Sequence, residues 1–66
     1  MAISRGQELV SQSNPNPDEI RKSIAALKKE TNYVQKCINA GLRDYISGQK
    51  VLDEITNIIQ RLEEKL

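Results

Sequence analysis

From Ile20 to Leu66 the side chains Ile20, Ile24, Leu27, Thr31, Val34, Ile38, Gly41, Tyr45, Gly48, Leu52, Ile55, Ile59, Leu62 and Leu66 recur in steps that alternate between four and three. Residues three and four apart share one stripe of an α-helix, so this is the spacing of helices that bury a seam against other helices. Ten of the fourteen are Ile, Leu or Val, one is Tyr, and Thr31, Gly41 and Gly48 interrupt the apolar pattern. The fold class is therefore all-α. The pattern fixes how the chain packs and leaves its task open.

Sixty-six residues make one domain at most. A chain this short buries little surface and usually gains stability from disulfides, a metal or a partner. Cys37 is the only cysteine and histidine is absent, which excludes an internal disulfide and the common zinc ligand sets. No cofactor is expected, and a partner is: a second copy in a four-helix homodimer, or another helical protein. Tyr33 and Tyr45 are the only aromatics, which argues against a small-molecule pocket or a base-stacking surface. A net charge of +1 offers no bulk attraction to nucleic acid or membrane. No apolar run is long enough to span a bilayer. The opening Met-Ala-Ile-Ser-Arg-Gly lacks the apolar core of a secretion signal, and with one unpaired cysteine the expected setting is cytoplasmic.

Residues 1–16 read as a polar arm with a short helix over about 5–12 as the alternative, since Ser4 and Gln7 stand at capping-box spacing. Leu9 and Val10 are its bulky apolar pair and its means of docking, and Gly6 counts against a helix. Asn14-Pro15-Asn16-Pro17 ends that segment. Asn16 suits an N-cap, Pro17 the first helical position, and Asp18 and Glu19 the positive end of the helix dipole. Residues 17–66 form the main domain.

The middle of the chain admits two architectures. Gly41 after Asn39-Ala40 suits a left-handed helix terminus, with Leu42 packing back on Cys37 and Ser47 capping a second helix near Gly48. The result is a hairpin of two amphipathic helices, about 17–40 and 44–65, that completes a helical bundle by association. The alternative is one coiled-coil helix over 17–65, because the apolar seam and the cations Lys22, Lys29, Lys36, Arg43 and Lys50, spaced by seven, both cross the middle in phase. Ala26, Tyr33, Cys37 and Ala40 widen the apolar stripe on one side, where Tyr33 is expected to pack half-buried and Cys37 to act as a small buried hydrophobe. The face of Val51 to Leu66 is wide enough for a bundle of three or four helices.

No catalytic constellation is present. Asp18-Glu19, Asp53-Glu54 and Glu63-Glu64 are adjacent pairs whose side chains diverge on a helix. No histidine is available to activate a Ser, Thr or Cys, and the glycines match no phosphate loop. The expectation is a non-enzymatic protein–protein interaction module, such as an adaptor, assembly factor or chaperone-like subunit. Its interface residues are Ile24, Leu27, Val34, Ile38, Leu52, Ile55, Ile58, Ile59 and Leu62. Between Ile20 and Lys50 seven cations face two anions, whereas residues 51–66 hold two cations and four anions. The alternative function is accordingly a small nucleic-acid-binding regulator whose contacts are Arg21, Lys22, Lys28, Lys29, Lys36 and Arg43.

Overall fold

Asn16 and Pro17 begin the longest helix as their chemistry dictates. Asn16 is extended, and its side-chain Oδ1 accepts the Asp18 N–H at 2.8 Å. In the computed structural model, which describes residues 2–66, the chain forms α1 (Ala2–Ser11), α2 (Pro17–Asn39) and α3 (Tyr45–Glu64). Among the described residues there is no strand. The three helices pack on one another within 40 × 17 × 16 Å, so the long dimension is about one α2 helix.

Gly41 ends α2. It adopts φ +74°, the Gly41 N–H donates to the Ile38 carbonyl at 3.1 Å, and the Leu42 N–H donates to the Cys37 carbonyl at 2.9 Å. These are the two bonds of a Schellman terminus, and they satisfy carbonyls that the helix itself leaves unpaired. The chain is thus not one continuous helix over 17–65. The expected packing of Leu42 is not made, since its side chain is largely in solvent. The second cap also differs from expectation. Asp44, not Ser47, caps α3: its side chain accepts the Ser47 N–H at 3.1 Å and its carbonyl accepts the Gly48 N–H at 2.9 Å. A carboxylate at this end also favours the helix dipole, and the earlier start places Gly48 inside the helix. There a Cβ would stand 2.5 Å from Ile38 Cδ1, so the missing side chain admits Ile38 beside the connection.

The N-terminal segment is a docked helix from Ala2 to Ser11, longer than the expected 5–12. It begins before Ser4, so Ser4 is not its cap. Gly6, read from sequence as a weakness in a helix, is where α1 touches both other helices. A Cβ there would lie 2.7 Å from Ile58 Cγ2, 3.2 Å from Leu27 Cδ1 and 3.6 Å from Ser23 Oγ. Leu9 then reaches one core with Ile20, Ile24, Leu27, Ile55, Ile58 and Leu62, and Ile3, Val10, Val51 and Ile59 pack around it. Burying a side chain of this size contributes about 1.5–3 kcal/mol, so Leu9 alone accounts for much of the docking of α1. Ser23 Oγ, beneath Gly6, is buried without a hydrogen-bond partner among the described residues.

Two glycine substitutions test this account. Gly41→Ala meets no neighbour within 4 Å, so its cost is backbone strain alone, about 1 kcal/mol, and the thermal midpoint should fall by roughly 4–8 °C. Gly6→Ala gains about 1 kcal/mol in helix propensity but overpacks a site where such insertions cost about 1–3 kcal/mol. Its melting temperature should fall; a rise would show that α1 does not sit this close to Ile58.

Candidate interaction surface

The nine apolar residues expected at an interface lie mainly inside the molecule. Ile24, Leu27, Val34, Leu52, Ile55, Ile58 and Leu62 are buried, and Ile38 and Ile59 are half-buried. The physical reason is α1, whose Leu9 joins Ile55, Ile58 and Leu62 in the core. Sequence reasoning assigned that covering role to a second chain. With the role filled internally, these residues present no broad free face.

A different apolar set is left in water. Tyr33, Leu42, Tyr45 and Ile46 are 67, 82, 68 and 68 % exposed, and Leu66, beyond the far end of α3, is 56 % exposed. Tyr33 does not pack half-buried as expected, and Cys37, a free thiol, is half-buried. Leu42 lies in the connection between α2 and α3, Tyr45 and Ile46 open α3, and Tyr33 lies in the last two turns of α2. The first four are at the connection end, beyond the half that α1 covers, and Leu66 is at the other. The pattern was partly legible, since Ala26, Tyr33 and Cys37 continue the apolar stripe past the width of one seam.

The expected basic contacts are all exposed: Arg21, Lys22, Lys28, Lys29, Lys36 and Arg43. Arg21 pairs with Asp18 at 3.2 Å, and the other five have no ion pair among the described residues. Lys22, Lys29 and Lys36, seven apart, share the face of α2 turned away from Leu27. The structure therefore brings three of the six into a stripe and leaves Arg43 in the connection.

Polar ties hold α1 at the other end. Arg5 Nη2 donates to Glu19 Oε2 at 2.8 Å and Nη1 to Glu8 Oε1 at 3.1 Å. Gln7 Nε2 donates to Glu54 Oε1 at 3.2 Å, and Lys65 Nζ donates to the Gln12 carbonyl at 2.8 Å. The hydrogen bond and charge of Arg5 lower the pKa of Glu19, and the same hydrogen bond raises that of Arg5. Both groups are exposed, so salt screens the pair.

Two shallow hollows flank α3. One of about 260 Å³ lies against α1, beside Gln7, Glu54 and Arg61. The other, of about 480 Å³, lies between α2 and α3 beside Lys28, Thr31, Ile59 and Glu63. Neither places a nucleophile against a base. Among the described residues no cluster of His, Cys, Asp or Glu is disposed to hold a metal, and no helix is long and apolar enough to cross a membrane. No protein-family model, curated protein or solved structure matches the chain.

The Arg5–Glu19 pair has a pH signature. Because the folded-state pKa of Glu19 is lowered, its contribution is complete above the ordinary carboxylate value and is lost as pH falls through the lower folded value. Acidification below about pH 4.5 should therefore lower the thermal midpoint, and the drop should be smaller in Glu19→Gln and in 0.5 M salt. An identical acid profile in wild type and Glu19→Gln would refute a role for the pair in holding α1.

Proposed function

We propose that the protein is a non-catalytic interaction module of the cytoplasm that engages another protein through the connection end of α2 and α3. On this reading α2 and α3 form an antiparallel hairpin, α1 closes its lower half, and the upper half is completed by a partner. The observation that carries the proposal is the uneven burial. Four large apolar side chains are exposed at the connection end against one, Leu66, at the other, where a third helix closes the core. Aromatic and aliphatic residues of this kind supply the anchors of protein interfaces. An adaptor, assembly factor or chaperone-like subunit fits such a surface, with a second copy of the chain as the alternative occupant.

The exposed lysines of α2 favour a second reading, a nucleic-acid-binding regulator. Phosphate contacts would give affinity that falls steeply with salt. Replacing Lys22, Lys29 and Lys36 by Gln would then abolish retention on DNA or RNA without loss of helix content. Absence of retention by the wild type at low salt would sink this second reading.

The main reading is tested by a triple variant, Tyr33→Ser, Leu42→Ser and Ile46→Ser. These side chains are exposed, so each change should alter stability by no more than about 0.5 kcal/mol. A protein crosslinked to the wild type in the cell should be lost from the variant while circular dichroism and thermal midpoint stay unchanged. Equal crosslinking by both chains would rule the connection end out as the contact surface.

A further inference from the structure

Helix α1 occupies a site that its own sequence fits residue by residue. Gly6 lacks a side chain where a Cβ would stand 2.7 Å from Ile58 Cγ2. Three residues on, Leu9 is buried in the core that Leu27, Ile55 and Leu62 share. Arg5 donates to Glu19, Gln7 to Glu54, and Lys65 to the Gln12 carbonyl. The receiving groups belong to α2, to α3 and to the residue that follows α3. None of these contacts depends on which copy of the chain supplies α1.

The tether of α1 is short and biased. Residues 12–16 join α1 to α2, and Gly6 reaches Ser23 and Leu27 because the chain turns back within them. The turn is a bend over residues 12–14, followed by Asn16 in an extended conformation at φ −68° and ψ 127°. Pro15 and Pro17 disfavour compact backbone at the residues before them, Asn14 and Asn16. An opened hinge, extended throughout, is the conformation that both prolines prefer. The site itself also eases opening. Ser23 Oγ is buried against Gly6 with no hydrogen-bond partner among the described residues. Its hydroxyl regains water only when α1 leaves, so its desolvation weighs on the docked form and not on the open one.

We infer that α1 is an exchangeable helix: two copies of the chain open their hinges, and each seats its α1 in the site of the other to form a symmetric dimer. Closed and exchanged forms share every contact of the site, including the unpaired hydroxyl of Ser23, so only the hinge and the concentration divide them. A short tether holds its helix at an effective concentration of millimolar order. The preference of Pro15 for an extended Asn14 lowers that value. The occupant is a second copy because the fit is already on view: no side chain at Gly6, an apolar one at Leu9, and Arg5 and Gln7 aimed at Glu19 and Glu54. The inference does not rest on the interaction-module reading. An exchanged dimer carries two connection ends, whatever those ends bind.

The test uses full-length chains in which Cys37→Ser removes the native thiol. One chain carries Gln7→Cys and the other Glu54→Cys, two exposed positions whose side chains hydrogen-bond at 3.2 Å. The two are mixed at about 1 mM, held just below the thermal midpoint, cooled and oxidised. A disulfide between chains should form. It should be at least about tenfold more abundant than in a mixture where Gln60→Cys replaces Glu54→Cys, since Gln60 lines the other hollow, between α2 and α3. A second variant keeps Cys37 and loses the bend, residues 12–14. The remaining Pro15 and Asn16 cannot turn the chain back, so this variant should sediment as a dimer at micromolar concentration with the helix content of the wild type. A folded monomer from the shortened chain, or a disulfide no more abundant than with Gln60→Cys, would each overturn the inference. Should the shortened chain unfold, the disulfide yield alone decides. Neither result bears on what the connection end binds, which the serine triple variant tests separately.

Discussion

Leu9 reaches the core only because α1 approaches α2 and α3 at a residue with no side chain. At Gly6 even one carbon would intrude on Ile58. Without this approach, α2 and α3 would bury their seam on one side and leave Ile55, Ile58 and Leu62 partly wet, an arrangement that a chain this short sustains poorly. With it, ten residues of modest apolar content close a core at that end from within the chain. The ties from Arg5, Gln7 and Lys65 then fix register more than they add stability, because all are exposed.

The consequence is a molecule with two unlike ends. The end holding Pro17 and Leu62 is closed by three helices. The end holding Gly41 has two helices, a tight terminus and four exposed apolar side chains. The seam along α2 and α3 thus has a third helix over one half and none over the other, where Val34 and Leu52 are buried by the two helices alone. The proposed function rests on that division.

Much of the fold could be read from the chain, and the failures have identifiable causes. Pro17, Asn16 and Gly41 act locally, through backbone angles and missing donors, so the limits of α2 were legible. Asp44 was read only as a charge, and its capping role passed to Ser47 three residues later. Helix α1 has too few turns for periodicity to speak, and Gly6 was weighed by its helix propensity when its value lies in close approach. The residues expected at an interface lie mainly in the core for a related reason. A stripe such as Ile55, Ile58 and Leu62 shows that something covers it, and nothing in the spacing says whether the cover comes from the same chain. Tyr33 continues the stripe but lies past the end of α1, and Leu42, expected to pack on Cys37 at the Gly41 terminus, makes that terminus's backbone bond with its side chain in solvent.

The hydroxyl of Ser23 gives the docked helix a particular kind of mobility. Buried and unpaired beneath Gly6, it forgoes a water that it regains whenever α1 lifts, a penalty of about 1–3 kcal/mol carried only by the closed form. Helix α1 is also too short to persist as a helix on its own. Detachment and unwinding of the segment therefore belong to one event, and its amides should exchange with solvent through an opening that leaves α2 and α3 paired. The protein would then breathe from its N-terminus as a small cooperative unit, well below the free energy at which the whole domain unfolds.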